Sequence, residues 1–237
     1  MTRGHCLLED NKKMIRIYSA DVSSLSDPKL FRASYSAVGD ERQSKIDRLR
    51  RRGDKRLSLG AGILLRYALR EYGTDGIPEY AYGENGKPYI AGGPYFSLSH
   101  SGNIAVCAVA DCEVGVDVEE IGTANMKLAR RFFQPEEYAL LSSAGSDEER
   151  NELFFRFWTL KESLMKCTGL GLGLSPREFR AVPGESATEY GGRKFYFGEF
   201  SSLPGCCCAV CSGEQFPEVD FSFFSNIETV LAQFINL

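Results

Sequence analysis

Long apolar runs are missing from this chain. No stretch of about 18 apolar residues is available to cross a bilayer. Glu9, Asp10, Lys12 and Lys13 interrupt the N-terminal stretch MTRGHCLLEDNKKMIRIYSADV before an export-signal core can form. A cytoplasmic location is therefore expected, with no membrane partner. A basic excess is missing too: 28 Lys and Arg against 32 Asp and Glu leave a net charge of −4, which excludes nucleic-acid binding through overall charge. Any polyanion must be held by a local patch. Histidine is scarce, with only His5 and His100, so a histidine-rich metal site is not expected. The eight cysteines form no disulfide framework in a reducing compartment. The run CCCAVC (206–211) lacks the paired spacing of a zinc site, and its cysteines read as small apolar residues of a buried strand.

What is present is ordinary globular material: 237 residues, 43% hydrophobic and 25% charged, enough for one large domain or two smaller ones. Residues 1–13 read as a loose extension. MIRIYSADV alternates apolar and polar residues and predicts a strand. A basic helix is expected from about Asp40, followed by RLSLGAGILLRYALREYG, a helix ending near Gly73. Asn85-Gly86 predicts a tight turn, and YFSLSHSGNIAVCAVADCEVGVDVEEI predicts successive strands. MKLARRFFQPEEYALL predicts a helix, and so does the long segment containing FFRFWTLKESLMKCTGLGL. FRAV, KFYFGEF, CCCAVC and DFSFF then predict strands. The likeness of IAVCAVA to CCAVCSG points to two related halves. The expected architecture is α+β, with an N-terminal half over 14–113 and a C-terminal half over 114–237.

Two segments carry chemistry. In EVGVDVEEI, Val114, Val116 and Val118 share one face of a strand, which puts Asp117 and Glu119 together on the other, about 6.5 to 7 Å apart. In the long helix, Phe154, Phe157, Trp158, Lys161, Leu164 and Met165 form one broad stripe, with Glu162 and Lys166 one turn apart on its border. A surface salt bridge explains Glu162 and Lys166 but not a lysine inside the apolar stripe. Three carboxylates offer hard oxygen ligands to Mg²⁺, which completes its shell with waters and phosphates. The composition fits a phosphate-handling site without choosing the phosphate compound.

GVDVEEI, followed some forty residues later by FWTLKESLMKCTGLGL, resembles the signature of the 4′-phosphopantetheinyl transferases. The upstream GKPY and SLSHS are similar to those of the longer, monomeric surfactin-synthetase-activator type. The resemblance implies two similar halves related by pseudo-twofold symmetry, with the active site in the cleft between them. It implies transfer of phosphopantetheine from coenzyme A to a serine of an apo acyl or peptidyl carrier protein, releasing 3′,5′-adenosine bisphosphate. Asp117, Glu119 and Glu162 would hold Mg²⁺, or alternatively Mn²⁺, and Glu162 or Lys166 would help deprotonate the serine. Arg42, Lys45, Arg56, Lys87, Ser99, His100 and Lys161 would contact the coenzyme's phosphates; for Lys161 an acidic cluster is the other expected contact. Glu137, in FFQPEEY, occupies an acidic position of the family, although a helix N-terminus behind Pro135 explains it equally well.

Other readings of the same residues are a Mg²⁺-dependent phosphohydrolase using the three carboxylates and, less favoured, an anion-binding module built on the stripe Arg42, Lys45, Arg48, Arg52 and Arg56. Serine hydrolysis through Ser99-His100 is disfavoured because no G-x-S-x-G turn is present. GLGLGL lacks the spacing of a phosphate-binding loop.

Overall fold

A computed structural model describes residues 14–74, 76–77, 79–216 and 218–235; the expected extension over 1–13 lies outside the described residues. The strands are β1 (Met14–Asp21), β2 (Ala81–Tyr82), β3 (Pro88–Tyr89), β4 (Tyr95–Ser101), β5 (Ile104–Ala110), β6 (Val114–Glu120), β7 (Ala187–Tyr190), β8 (Arg193–Phe200), β9 (Cys206–Ser212) and β10 (Glu218–Phe224). The helices are α1 (Pro28–Tyr35), α2 (Asp40–Arg48), α3 (Arg52–Glu71), α4 (Met126–Phe132), α5 (Pro135–Ser142), α6 (Asp147–Thr168) and α7 (Glu228–Leu231). The fold is α+β, as expected.

Two four-stranded sheets, ordered β10-β1-β5-β4 and β6-β9-β8-β7, carry the structure. Ile15, Ile17, Val106 and Ala108 from the first sheet and Val114, Val116, Val118, Cys208 and Val210 from the second share one core between the sheets. The opposite face of the first sheet packs on α3 through Tyr18, Cys107 and Val109 against Leu64, Leu65 and Ala68. The corresponding face of the second sheet packs on α6 through Phe195, Phe197, Ala209 and Cys211 against Leu160 and Leu164. The similarity of IAVCAVA and CCAVCSG has a physical origin here. Both β5 and β9 lie inside their sheets and are buried along their whole length. The thiols act as small apolar groups, free of disulfides, and burial pushes Cys207 up to about 12.

Several expected elements differ. The basic helix from Asp40 stops at Arg48 because Leu49 and Arg51 are extended, with ψ of 139° and 136°, so the expected stripe from Arg42 to Arg56 is split between α2 and α3. MKLARRFFQPEEYALL is likewise two helices, with Pro135 opening the second. FRAV is not a strand: the Phe179 carbonyl accepts from Lys161 and the Ala181 amide donates to Glu137, so side chains take the place of a ladder. One strand from the later part of the chain joins the first sheet. β10 pairs in parallel with β1, Met14 opposite Glu218 through Ala20 opposite Phe224, and Val230 and Leu231 of α7 enter the core under α3.

One close approach decides where the cleft opens. α6 starts under a Ser146 cap and three acidic residues and ends at Gly169, whose φ of 71° is left-handed. Between these ends it presses on β6 at Gly115. A Cβ there would stand 2.0 Å from the Ser163 carbonyl oxygen and 2.3 Å from the Cys167 amide nitrogen. Both are backbone atoms inside a helix and cannot step aside. Gly115→Ala is expected to cost about 3 kcal/mol or more of stability in urea denaturation. Gly53→Ala, where a Cβ meets nothing within 4 Å, is expected to stay within about 1 kcal/mol of the wild type.

Candidate active site

Past Gly115, side chains fit between β6 and the surroundings of α6, and the next two residues on that face are Asp117 and Glu119. They line a cavity of about 580 Å³ together with Glu162 and Lys166 from α6, Ser99 and His100 from β4, Arg42 and Lys45 from α2, and Lys87 beside the β2–β3 turn. Nine of the expected residues are thus brought together. Trp158, Met165, Phe96 and Asn85 complete much of the wall.

The carboxylate end is tightly organised. Asp117 is 3% exposed; its Oδ1 accepts from Ser99 Oγ at 2.7 Å and from Lys166 Nζ at 2.6 Å, while its Oδ2 is buried without a hydrogen-bond partner. Lys166 also donates to Ser99 Oγ at 2.9 Å. Glu119 accepts from Ser101 Oγ at 2.9 Å. Glu119 and Glu162 are both raised above the ordinary carboxylate range, first by burial and then by the charge of Asp117.

This donor set has the chemistry of a hard-cation site: clustered carboxyls, two of them held up by burial and mutual repulsion, and one orphaned buried oxygen. In the arrangement described, the Lys166 ammonium is the cation against Asp117. Among the described residues, no three His, Cys, Asp or Glu side chains are grouped closely enough to hold a metal ion as they stand.

The same cavity also carries basic groups. Burial and then the Arg42 charge lower Lys45. His100 is lowered by desolvation and by the charges of Lys166, Lys45 and Arg42. Lys87 Nζ donates to the Val114 carbonyl at 3.0 Å and the Cys167 carbonyl at 3.1 Å, joining the start of β6 to the last turn of α6. Two of its three donors are used there, and burial lowers its pKa.

Two expected coenzyme contacts lie elsewhere. Arg56 donates to Asn103 Oδ1 at 2.5 Å and lines a separate cavity of about 610 Å³ with Leu25, Phe31, Arg32 and Tyr35. The extended break before α3 turns it away from Arg42 and Lys45. Lys161 is 0% exposed and does not line the site. Its ammonium donates to the carbonyls of Pro176 and Phe179 at 2.8 and 3.0 Å and pairs with Glu137 Oε2 at 2.9 Å. The acidic contact is therefore the one it makes. Glu137 also accepts from the amides of Gln134 and Ala181, at 2.7 and 2.8 Å. Every polar atom of this buried pair is engaged, so the lysine in the apolar stripe fastens α5 and the 176–181 segment to α6.

The sequence reading passed over Ser97 and Ser101 of SLSHS. Their signal was the period-two recurrence of serine at 97, 99 and 101. The Ser97, Ser99 and Ser101 hydroxyls accept from the amides of Val116, Val118 and Glu120, at 3.0, 3.3 and 3.0 Å, and so join the facing edges of the two sheets.

The 4′-phosphopantetheinyl transferase superfamily model matches residues 113–210, the span that holds Asp117, Glu119, Glu162 and Lys166. The 4′-phosphopantetheinyl transferase Sfp of Bacillus subtilis (strain 168) is 30% identical over 193 residues, covering 77% of this chain and 86% of that protein. A 4′-phosphopantetheinyl transferase of Bacillus subtilis is 37% identical over 59% of this chain and 63% of its own. The 4′-phosphopantetheinyl transferase HetI of Nostoc sp. is 38% identical over 56% and 60%. The matches to these last two span about three fifths of the relatives' own length. The chain belongs to the 4′-phosphopantetheinyl transferase superfamily, and it is similar to the surfactin type within it.

Lys161→Met should lower the unfolding free energy by about 3 to 5 kcal/mol, because it leaves the Glu137 carboxylate and two carbonyls buried without their cation. Chemical denaturation measures the loss; a stability within about 1 kcal/mol of the wild type would remove Lys161 from this structural role.

Proposed function

We propose that this protein transfers the 4′-phosphopantetheine group of coenzyme A to a serine hydroxyl of an apo acyl or peptidyl carrier protein. The observation that carries the reading is a single cavity lined both by three carboxyls and by Arg42, Lys45, Lys87 and His100. A ligand with several phosphates suits these basic residues, and Ser99, held by Asp117 and Lys166, adds a hydroxyl to the wall. Arg42 and Lys45 would take one of its phosphates.

Asp117, Glu119 and Glu162 would hold a Mg²⁺ or Mn²⁺ ion, which would supply neutralising charge at the phosphate oxygens. The orphaned Oδ2 of Asp117 and the raised Glu119 and Glu162 support that assignment. Glu162 is the proton acceptor in this reading. It lines the cavity one helical turn from Lys166, where a serine brought to the phosphates would meet it. Lys166 is a donor to Asp117 and Ser99, a role suited to positioning and charge stabilisation. The serine oxygen forms a bond to the β-phosphorus, and the bond from that phosphorus to the bridging oxygen breaks. The serine proton passes to Glu162, and 3′,5′-adenosine bisphosphate leaves. The protein would act as a cytoplasmic monomer.

Intact-mass measurement of apo carrier proteins incubated with coenzyme A, Mg²⁺ and this protein should show a phosphopantetheine-sized addition. Glu162→Gln should abolish it while leaving the circular dichroism unchanged. Consumption of coenzyme A with no addition to any carrier would favour the phosphohydrolase reading instead.

Arg42→Gln should raise KM for coenzyme A about tenfold, the scale of one lost hydrogen bond to a charged group, with a smaller effect on kcat. Steady-state kinetics test this, and a KM within twofold of the wild type would take Arg42 out of the coenzyme site.

A further inference from the structure

The contacts between β4 and β6 repeat with a fixed offset. Ser97, Ser99 and Ser101 accept from the amides nineteen residues later, Val116, Val118 and Glu120. Two of the three hydroxyls also donate to the side chain eighteen residues later: Ser99 to Asp117 at 2.7 Å and Ser101 to Glu119 at 2.9 Å. At the first rung that position is Gly115, where α6 leaves no room for a side chain. Ser97 therefore makes the amide contact and no carboxylate contact. Nature has supplied an internal control within one strand.

The single hydroxyl hydrogen of Ser101 goes to Glu119 Oε2, and its lone pair takes the Glu120 amide. Both ends are therefore fixed, so the hydroxyl holds the Glu119 carboxylate in one orientation relative to the β6 backbone. Ser101 itself is not part of the cavity wall; whatever it contributes passes through Glu119. A carboxylate that must join two others around a cation gains from such restraint, because rotamer freedom and a wrongly turned oxygen both weaken coordination.

We propose that Ser101 is a positioning residue that orients Glu119 for divalent-cation binding; the proposal rests on the metal role given to Glu119 above. Ser99 does the equivalent for Asp117 but also touches Lys166 and lines the cavity, so its effects would not isolate the orienting contact. Ser101 does isolate it.

The test is direct titration of the purified full-length protein with Mn²⁺, reading free Mn²⁺ by electron paramagnetic resonance, alongside thermal unfolding. Ser101→Ala should weaken Mn²⁺ binding about 10- to 100-fold, and Ser101→Thr, which keeps the hydroxyl, should restore it to within about threefold. Ser97→Ala loses an amide contact of the same kind. Ser97 lines the cavity but makes no carboxylate contact, so this variant should lower the melting temperature yet leave Mn²⁺ affinity within about twofold. Should Ser101→Ala fail to fold, Ser101→Cys keeps the shape with a weaker donor and should still bind Mn²⁺ less tightly. Wild-type Mn²⁺ affinity in the folded Ala or Cys variant would overturn the proposal, and so would an equal loss in Ser97→Ala, which would make the effect one of sheet spacing. A wild-type protein that binds no Mn²⁺ would overturn the metal assignment and the role of Ser101 with it, while carrier modification, read separately by mass, could still stand.

Discussion

The geometry of the site depends on how closely α6 lies on β6 at Gly115. Backbone meets backbone there, and a side chain in that position would lift the helix off the strand. Because the contact is made at one end of β6, the positions two and four residues further along have room for carboxylates, and α6 brings Glu162 and Lys166 to the same opening. Apolar burial, at about 1.5 to 3 kcal/mol for each Val, Ile or Leu, supplies the adhesion between the sheets. The three serine rungs, each worth about 1 kcal/mol, supply register. Adhesion without register would bring the sheets together with the acidic residues in the wrong place.

Three lysines near α6 show how surroundings divide one chemistry into different tasks. Lys161, wholly enclosed, finds an anion and two carbonyls and becomes part of the frame. Lys87 reaches across from the β2–β3 turn to carbonyls of β6 and α6. Lys166, with its side chain 29% exposed, stays at the cavity and is held by Asp117 and Ser99. Burial demands full compensation of a charge, so the most buried ammonium is the least available to a ligand.

Much of this was legible in the primary structure. The period-two pattern of GVDVEE placed its valines inward and its acids together, and the helical period of FFRFWTLKESLMK placed Glu162 and Lys166 on one border; both rules are local and both applied. For Lys161 the pattern leaves a phosphate and an acidic cluster equally open, because its partners, Glu137 and the carbonyls of Pro176 and Phe179, are 15 to 24 residues away in the sequence, and no periodicity reports such a pairing. Arg56 stands on a different helix from Arg42 and Lys45 because Leu49 and Arg51 are extended, and no glycine or proline marks that break in the sequence. FRAV looked like a strand by composition, but a ladder needs a neighbouring edge, and here side chains satisfied the backbone instead.

The parallel pairing of β10 with β1 carries a consequence for how the molecule is made. The first sheet is missing one of its edge strands until residues 218–224 have left the ribosome, although its other three strands are complete by residue 110. One flank of β1 therefore stays open while the second sheet and α6 are synthesised. The last-made strand then fastens onto one of the first. A cut near the midpoint of the chain would part β1 from the strand that covers its outer flank.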